Sequence, residues 1–262
     1  MRERQRSMAT RLRLPDFLIA GAARSGTTWL CHLLDRHPEV FLARPLRPEP
    51  KFFLIPELYA RGLSHYSATW FNQAAPDQRV GEKSTNYLES AEAAQRIHQH
   101  LPNVKLVFML REPMSRAYSN YRWSRANGLE TESFERALAL EAEREATVPA
   151  HLRFARPHAY FSRGLYADLL APYVKLFPRE RILCLRTEQL ATTPQEVAAR
   201  LHRFLDMHPR PTDADNLGVI NRSPGTELIP ARVRTELAAR YAGPNRRLAQ
   251  LLGEDLTSWE VS

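Results

Sequence analysis

The stretch Phe17-Leu18-Ile19-Ala20-Gly21-Ala22-Ala23-Arg24-Ser25-Gly26-Thr27-Thr28-Trp29 decides how the chain reads. Its first four residues suit a short buried strand, and the Gly-containing turn after them leads into an apolar run over 28–36 with helical spacing. Glycines at such a turn let the backbone curl, so that successive N–H groups converge on an anion at the helix N-terminus. The pattern G-x-x-x-x-G-K-[ST] of a phosphate loop is met from Gly21 onward, except that Thr27 stands where the lysine belongs. The cation is instead Arg24, accompanied by the hydroxyls of Ser25, Thr27 and Thr28. That set suits a small group of anionic oxygens held by charge and hydrogen bonds without a metal bridge. A Gly/Ser turn that merely caps a helix is the plainer reading. Trp29 fits either the core or stacking on a base.

Outward from this turn, short apolar runs alternate with longer amphipathic ones, the pattern of βα units. Strands are expected over 17–20, 39–42, 80–84, 105–110 and 181–185. Helices are expected over 28–36, 90–100, 113–127, 131–145, 164–176 and 194–205, with one or two more over 230–252 and short helices at best within 56–76. The expectation is one α/β domain of P-loop type over 14–262, a mostly parallel central sheet flanked by helices, after a loose basic arm over 1–13.

The composition narrows the function classes. With 262 residues and 44% apolar side chains the chain can bury a full core. Two cysteines far apart, Cys31 and Cys184 in apolar surroundings, exclude a disulfide-dense scaffold or a cysteine-based zinc framework. No apolar run is long enough to span a membrane and no signal-peptide core follows the basic start, so the reading is a soluble, cytoplasmic protein. The formal charge of +8 comes from 33 arginines and only four lysines, Lys51, Lys83, Lys105 and Lys175. Such an excess favours an anionic partner. The lysines matter most, because only their protons can be tuned toward neutral pH.

A second motif follows the strand over 105–110: Arg111-Glu112-Pro113-Met114-Ser115-Arg116-Ala117-Tyr118-Ser119. Arg111 would stand at the carboxyl end of a parallel strand, the edge where open α/β sheets bind ligands. Ser119, two helical turns on, falls on nearly the same face. Alone, Arg111 also reads as a strand-end salt bridge to Glu112 or Glu82. Together the two motifs resemble the 5′-phosphosulfate and 3′-phosphate motifs of sulfotransferases that use 3′-phosphoadenosine 5′-phosphosulfate (PAPS), with Arg24 at the usual lysine position. Further segments, PEPKFF over 48–53, GLSHY over 62–66 and GEKSTNYL over 81–88, resemble Golgi heparan sulfate 3-O- and N-sulfotransferases.

That resemblance implies a transferase whose catalytic residues are Glu49, as general base, and Lys83, which stabilises or protonates the leaving phosphate oxygen. It implies PAPS binding by Arg24, Ser25, Gly26, Thr27, Thr28, Trp29, Arg111 and Ser119, and by Arg222 and Ser223 of the partly matched loop NRSPG, with no metal required. Lys51 stands where many relatives carry a histidine and reads either as a contact to sulfate or acceptor or as surface. Phe52, Phe53, His65, Tyr66 and Tyr87 read as core aromatics before acceptor contacts. The implied partner is a small-molecule or carbohydrate acceptor, with no nucleic acid and no membrane span; oligomeric state is not legible. Two other readings remain: an ATP-dependent small-molecule kinase, and a basic nucleic-acid-binding module, which lacks a basic helix face interleaved with aromatics.

Overall fold

The computed structural model describes residues 12–210 and 229–259. Arg222 and Ser223, and the expected arm up to residue 11, lie outside the described residues. Five strands, β1 (Phe17–Gly21), β2 (Val40–Leu42), β3 (Arg79–Lys83), β4 (Lys105–Leu110) and β5 (Ile182–Arg186), form one sheet in the order β2-β3-β1-β4-β5. Every pairing is parallel, so the expected mostly parallel sheet is wholly so among the described residues.

The helices lie between and after these strands: α1 (Thr27–Asp35), α2 (Pro56–Tyr59), α3 (Gly62–Trp70), α4 (Ala91–His100), α5 (Pro113–Ala126), α6 (Phe134–Ala139), α7 (Glu141–Thr147), α8 (Tyr166–Leu176), α9 (Gln189–Thr192), α10 (Pro194–Phe204) and α11 (Ala231–Leu252). Strands buried on both faces need apolar partners on each. Leu18, Ala20, Leu106 and Phe108 pack on one side with α4, α8 and the aromatic loop after β2. Phe17, Ile19, Val107 and Met109 pack on the other with α1 and α10. Cys31 and Cys184 are buried within these cores, one on each side.

The one helix expected over 131–145 is two. Glu130 accepts the Thr131 and Glu132 N–H groups and so holds a turn, Ser133 caps α6 by accepting from Arg136 N, and α7 starts at Glu141, whose carboxylate accepts from Phe161 N and Ser162 N. The C-terminal run is a single helix despite Pro244 inside it. Arg13, assigned to the arm, is tied down by Ser67 Oγ and the Gln78 carbonyl.

Candidate active site

Three neighbouring strands deliver the site to one sheet edge. β1 lies between β3 and β4, so the loop after β1 has the end of β3 on one side and the turn after β4 on the other. Within that loop Arg24 has φ +67° and Gly26 φ +82°. A left-handed arginine costs on the order of 1 kcal/mol, conformational strain of a kind that clusters at functional sites. The loop is pinned from β5, where Thr187 Oγ1 donates to the Ser25 carbonyl at 2.6 Å and lies 2.9 Å from the Leu110 carbonyl. Ala22 N also donates to the Met109 carbonyl at 2.8 Å. Ser25 is fully buried. Thr27 is buried and Thr28 half-buried at the start of α1.

Arg24 Nε reaches Ser119 Oγ at 3.4 Å, and Arg111 Nη1 lies 3.5 Å from the Arg24 carbonyl. The structure therefore brings Arg24, Arg111 and Ser119 together, as the two motifs implied. Burial pulls the Arg24 guanidinium below its usual value, and repulsion from Arg111, Arg47, Arg116 and Arg163 acts in the same sense. Neither salt bridge open to Arg111 in the sequence is its role here: Glu112 caps α5 by accepting from Met114 N and Ser115 N, and Glu82 faces Tyr66.

On the other side of the loop, Lys83 ends β3 with its Nζ 3.4 Å from Glu49 Oε1, both side chains largely buried. Thr85 holds that carboxylate, its N–H donating to Oε2 at 3.1 Å and its hydroxyl lying 3.3 and 3.2 Å from the two oxygens. Lys51, at φ +51°, is fixed through its own N–H to Ser84 Oγ at 2.8 Å, and its Nζ sits 4.7 Å from the centre of the Phe154 ring. Burial lowers its ammonium pKa, while Glu49 pulls the other way. Lys51 is thus part of the site's wall.

Phe52, Phe53, Tyr66 and Tyr87 are core residues, as read, whereas His65 is exposed on α3; Trp29, 4% exposed among Phe17, Ile19 and Leu30, packs α1 against the sheet. Its burial supports the packing reading over stacking on a base. Several site residues were not anticipated. Thr85 lies inside the quoted GEKSTNYL segment, two residues past Lys83, a spacing that brings it to the same edge. Arg116 and Arg163 carry no signal of their own in the sequence. Arg116 is fully buried, bonded to the Tyr160 carbonyl, and three positions before Ser119 on α5. Arg163 pairs with buried Glu89 at 2.7 Å.

A match to the sulfotransferase domain family covers residues 14–217. Mouse heparan sulfate glucosamine 3-O-sulfotransferase 6 is 30% identical over 95% of this chain and 75% of its own length. Mouse bifunctional heparan sulfate N-deacetylase/N-sulfotransferase 3 is 27% identical over 94% of this chain, which spans only 31% of that protein. The crystal structure of a sulfotransferase from Alicyclobacillus acidocaldarius superposes with a TM-score of 0.78 at 29% identity, covering 95% of this chain and 99% of that one. The family match runs from just before β1 to beyond α10 and takes in all five strands and the turns after β1 and β4, and on that ground the chain belongs to the sulfotransferase domain family of enzymes.

Proposed function

We propose that the protein moves the sulfuryl group of PAPS in line to a hydroxyl or amine of an acceptor, with a carbohydrate as the first class to test. The donor supplies the activated sulfuryl group; everything else is done by side chains of this chain. The loop over 21–28, with Arg24, would hold the 5′ end, and Arg111 with Ser119 the 3′-phosphate. Two guanidiniums that repel each other in the free protein are a fitting receptor for a doubly phosphorylated nucleotide.

Lys83 stands one strand from the phosphate loop, where its ammonium can stabilise or protonate the leaving phosphate oxygen. Glu49 accepts the acceptor's proton as the new sulfur–oxygen or sulfur–nitrogen bond forms and the bond to the phosphate oxygen breaks. The observation that carries this reading is the Lys83–Glu49 contact of 3.4 Å beside the loop, a base and an acid already adjacent. Lys51 and Phe154 would border the acceptor.

Calorimetry with 3′-phosphoadenosine 5′-phosphate (PAP) against ADP and ATP tests the donor, and a labelled-sulfate screen over sugars, lipids and small metabolites tests the acceptor. PAP should bind far more tightly than ATP and without Mg²⁺. Preferential, Mg²⁺-dependent ATP binding would instead return the kinase reading.

A further inference from the structure

Directly behind Lys83, on the opposite face of β3, lies a carboxyl that the transfer chemistry does not use. Glu82 is fully buried, in register with Leu18 of β1, and receives the Tyr66 hydroxyl at 2.6 Å on Oε2. The hydroxyls of Tyr87 and Ser84 face the same carboxyl.

Each of these three hydroxyl residues also grips the segment that follows Glu49. Ser84 Oγ accepts from Lys51 N at 2.8 Å, and Tyr87 Oη accepts from Phe53 N at 3.2 Å. The Tyr66 ring stacks on Phe52 with centroids 4.2 Å apart, and both tyrosine rings meet Phe53 edge-on. Within four residues of Glu49 the chain is therefore held at three successive positions, Lys51, Phe52 and Phe53, by side chains that converge on Glu82.

We propose that Glu82 is a positioning residue: through Tyr66, Tyr87 and Ser84 it fixes the segment that carries Glu49, and so sets where the base stands without touching the reacting atoms. This rests on Glu49 being the base, as proposed above. The acidic form is the one that fits. Burial pushes the Glu82 carboxyl up to about 7; hydrogen bonding from Tyr66, Tyr87 and Ser84 opposes the shift and the Glu49 charge adds to it. A neutral carboxyl leaves no unpaired charge beside Glu49, whereas the carboxylate would bury a second negative charge there.

Replacing Glu82 should therefore separate turnover from binding. Glu82→Ala is expected to lower kcat by about ten- to a hundredfold, the scale of a small misplacement of a catalytic group, while PAP affinity stays unchanged. Glu82→Gln, the neutral isostere, should restore kcat below pH 7 and abolish any fall in kcat that begins near pH 7. Amide hydrogen exchange at Lys51 and Phe53 gives a readout that needs no turnover. In the wild type, corrected for intrinsic rates, it should accelerate above pH 7 as Glu82 ionises, and in Glu82→Gln it should not. If Glu82→Ala does not fold, the wild type and Glu82→Gln carry the test between them. Unchanged kcat in Glu82→Ala, or exchange at Lys51 and Phe53 that responds alike in wild type and Glu82→Gln, overturns the proposal. Absence of PAPS-dependent turnover in the wild type would sink the proposed function instead, and the exchange experiment would still decide the anchoring.

Discussion

At the end of the site proposed to hold phosphates, Arg24 and Arg111 stand together with Ser119, and burial, then repulsion from Arg111, lowers the Arg24 pKa. At the transfer end, Lys83 already has Glu49 at 3.4 Å, and Thr85 holds the carboxylate from the other side. The first region sets like charges against each other. The second is balanced before any ligand enters. On the proposed reading a nucleotide gains most from the first, whose repulsion its phosphates relieve, and the reaction gains most from the second, since groups held in place need no reorganisation during the transfer.

If the two ends are separable in this way, Lys83→Ala and Glu49→Ala should each reduce turnover by about 10²- to 10⁴-fold with PAP affinity nearly intact. Steady-state kinetics beside calorimetry checks this, and a collapse of PAP binding in either variant would break the division. Lys83→Arg should not restore turnover if proton donation matters, because a guanidinium keeps its proton.

The balanced end should also leave a mark on stability. Glu82 binds a proton in the folded state up to about pH 7, whereas its ordinary value is 4.5. Between those values the folded chain holds a proton that the unfolded chain has lost, so unfolding becomes easier as pH rises through that window. The contribution is up to about 3 kcal/mol, present below pH 4.5 and gone above 7. Denaturant titrations of the wild type should show this decline and those of Glu82→Gln should lack it. An unchanged slope would mean that Glu82 is ionised in the folded protein throughout.

For the arginine end, Arg111→Ala should weaken PAP binding by about 2 kcal/mol, the scale of a charge-assisted hydrogen bond. The loss should be small for adenosine 5′-phosphosulfate, which lacks the 3′-phosphate. Equal losses for both ligands would place Arg111 at the wrong end of the nucleotide.

Much of this arrangement was legible because local signals and the fold agree. The run over 105–110 gave β4 without adjustment, since six apolar or amphipathic residues between turn signals have few other uses. Lys83 stood out by the rarity of lysine, and the structure places it beside Glu49. Glu82 was hidden by the same polar segment that displayed Lys83, because a glutamate among Gly, Lys, Ser and Thr reads as solvated. The available signal was the period of two. Val80, Glu82 and Ser84 alternate with Gly81 and Lys83, so one face of β3 had to carry the glutamate inward. Arg116 was lost among 33 arginines, and only its helical spacing to Ser119 pointed inward. The break between α6 and α7 was not readable, since it is set by contacts from Glu141 to a segment twenty residues away.

The smallest expected effect tests how finely the balanced end is tuned. Thr85 gives Glu49 both a backbone N–H and a hydroxyl, and a side-chain replacement removes only the second. Thr85→Val keeps the branched shape and the N–H, so the chain should fold as before and PAP should bind as before. A hydroxyl's hydrogen bond to a carboxylate is worth about 1.5 kcal/mol, which as lost positioning corresponds to about a tenfold fall in kcat. Thr85→Ser restores the hydroxyl without the methyl and should recover most of that loss. If Thr85→Val turns over like the wild type, the Lys83 contact and the Thr85 N–H hold Glu49 without the hydroxyl. If it loses as much as Glu49→Ala, the hydroxyl contributes to the proton transfer itself, and the base must be drawn as a Glu49–Thr85 pair.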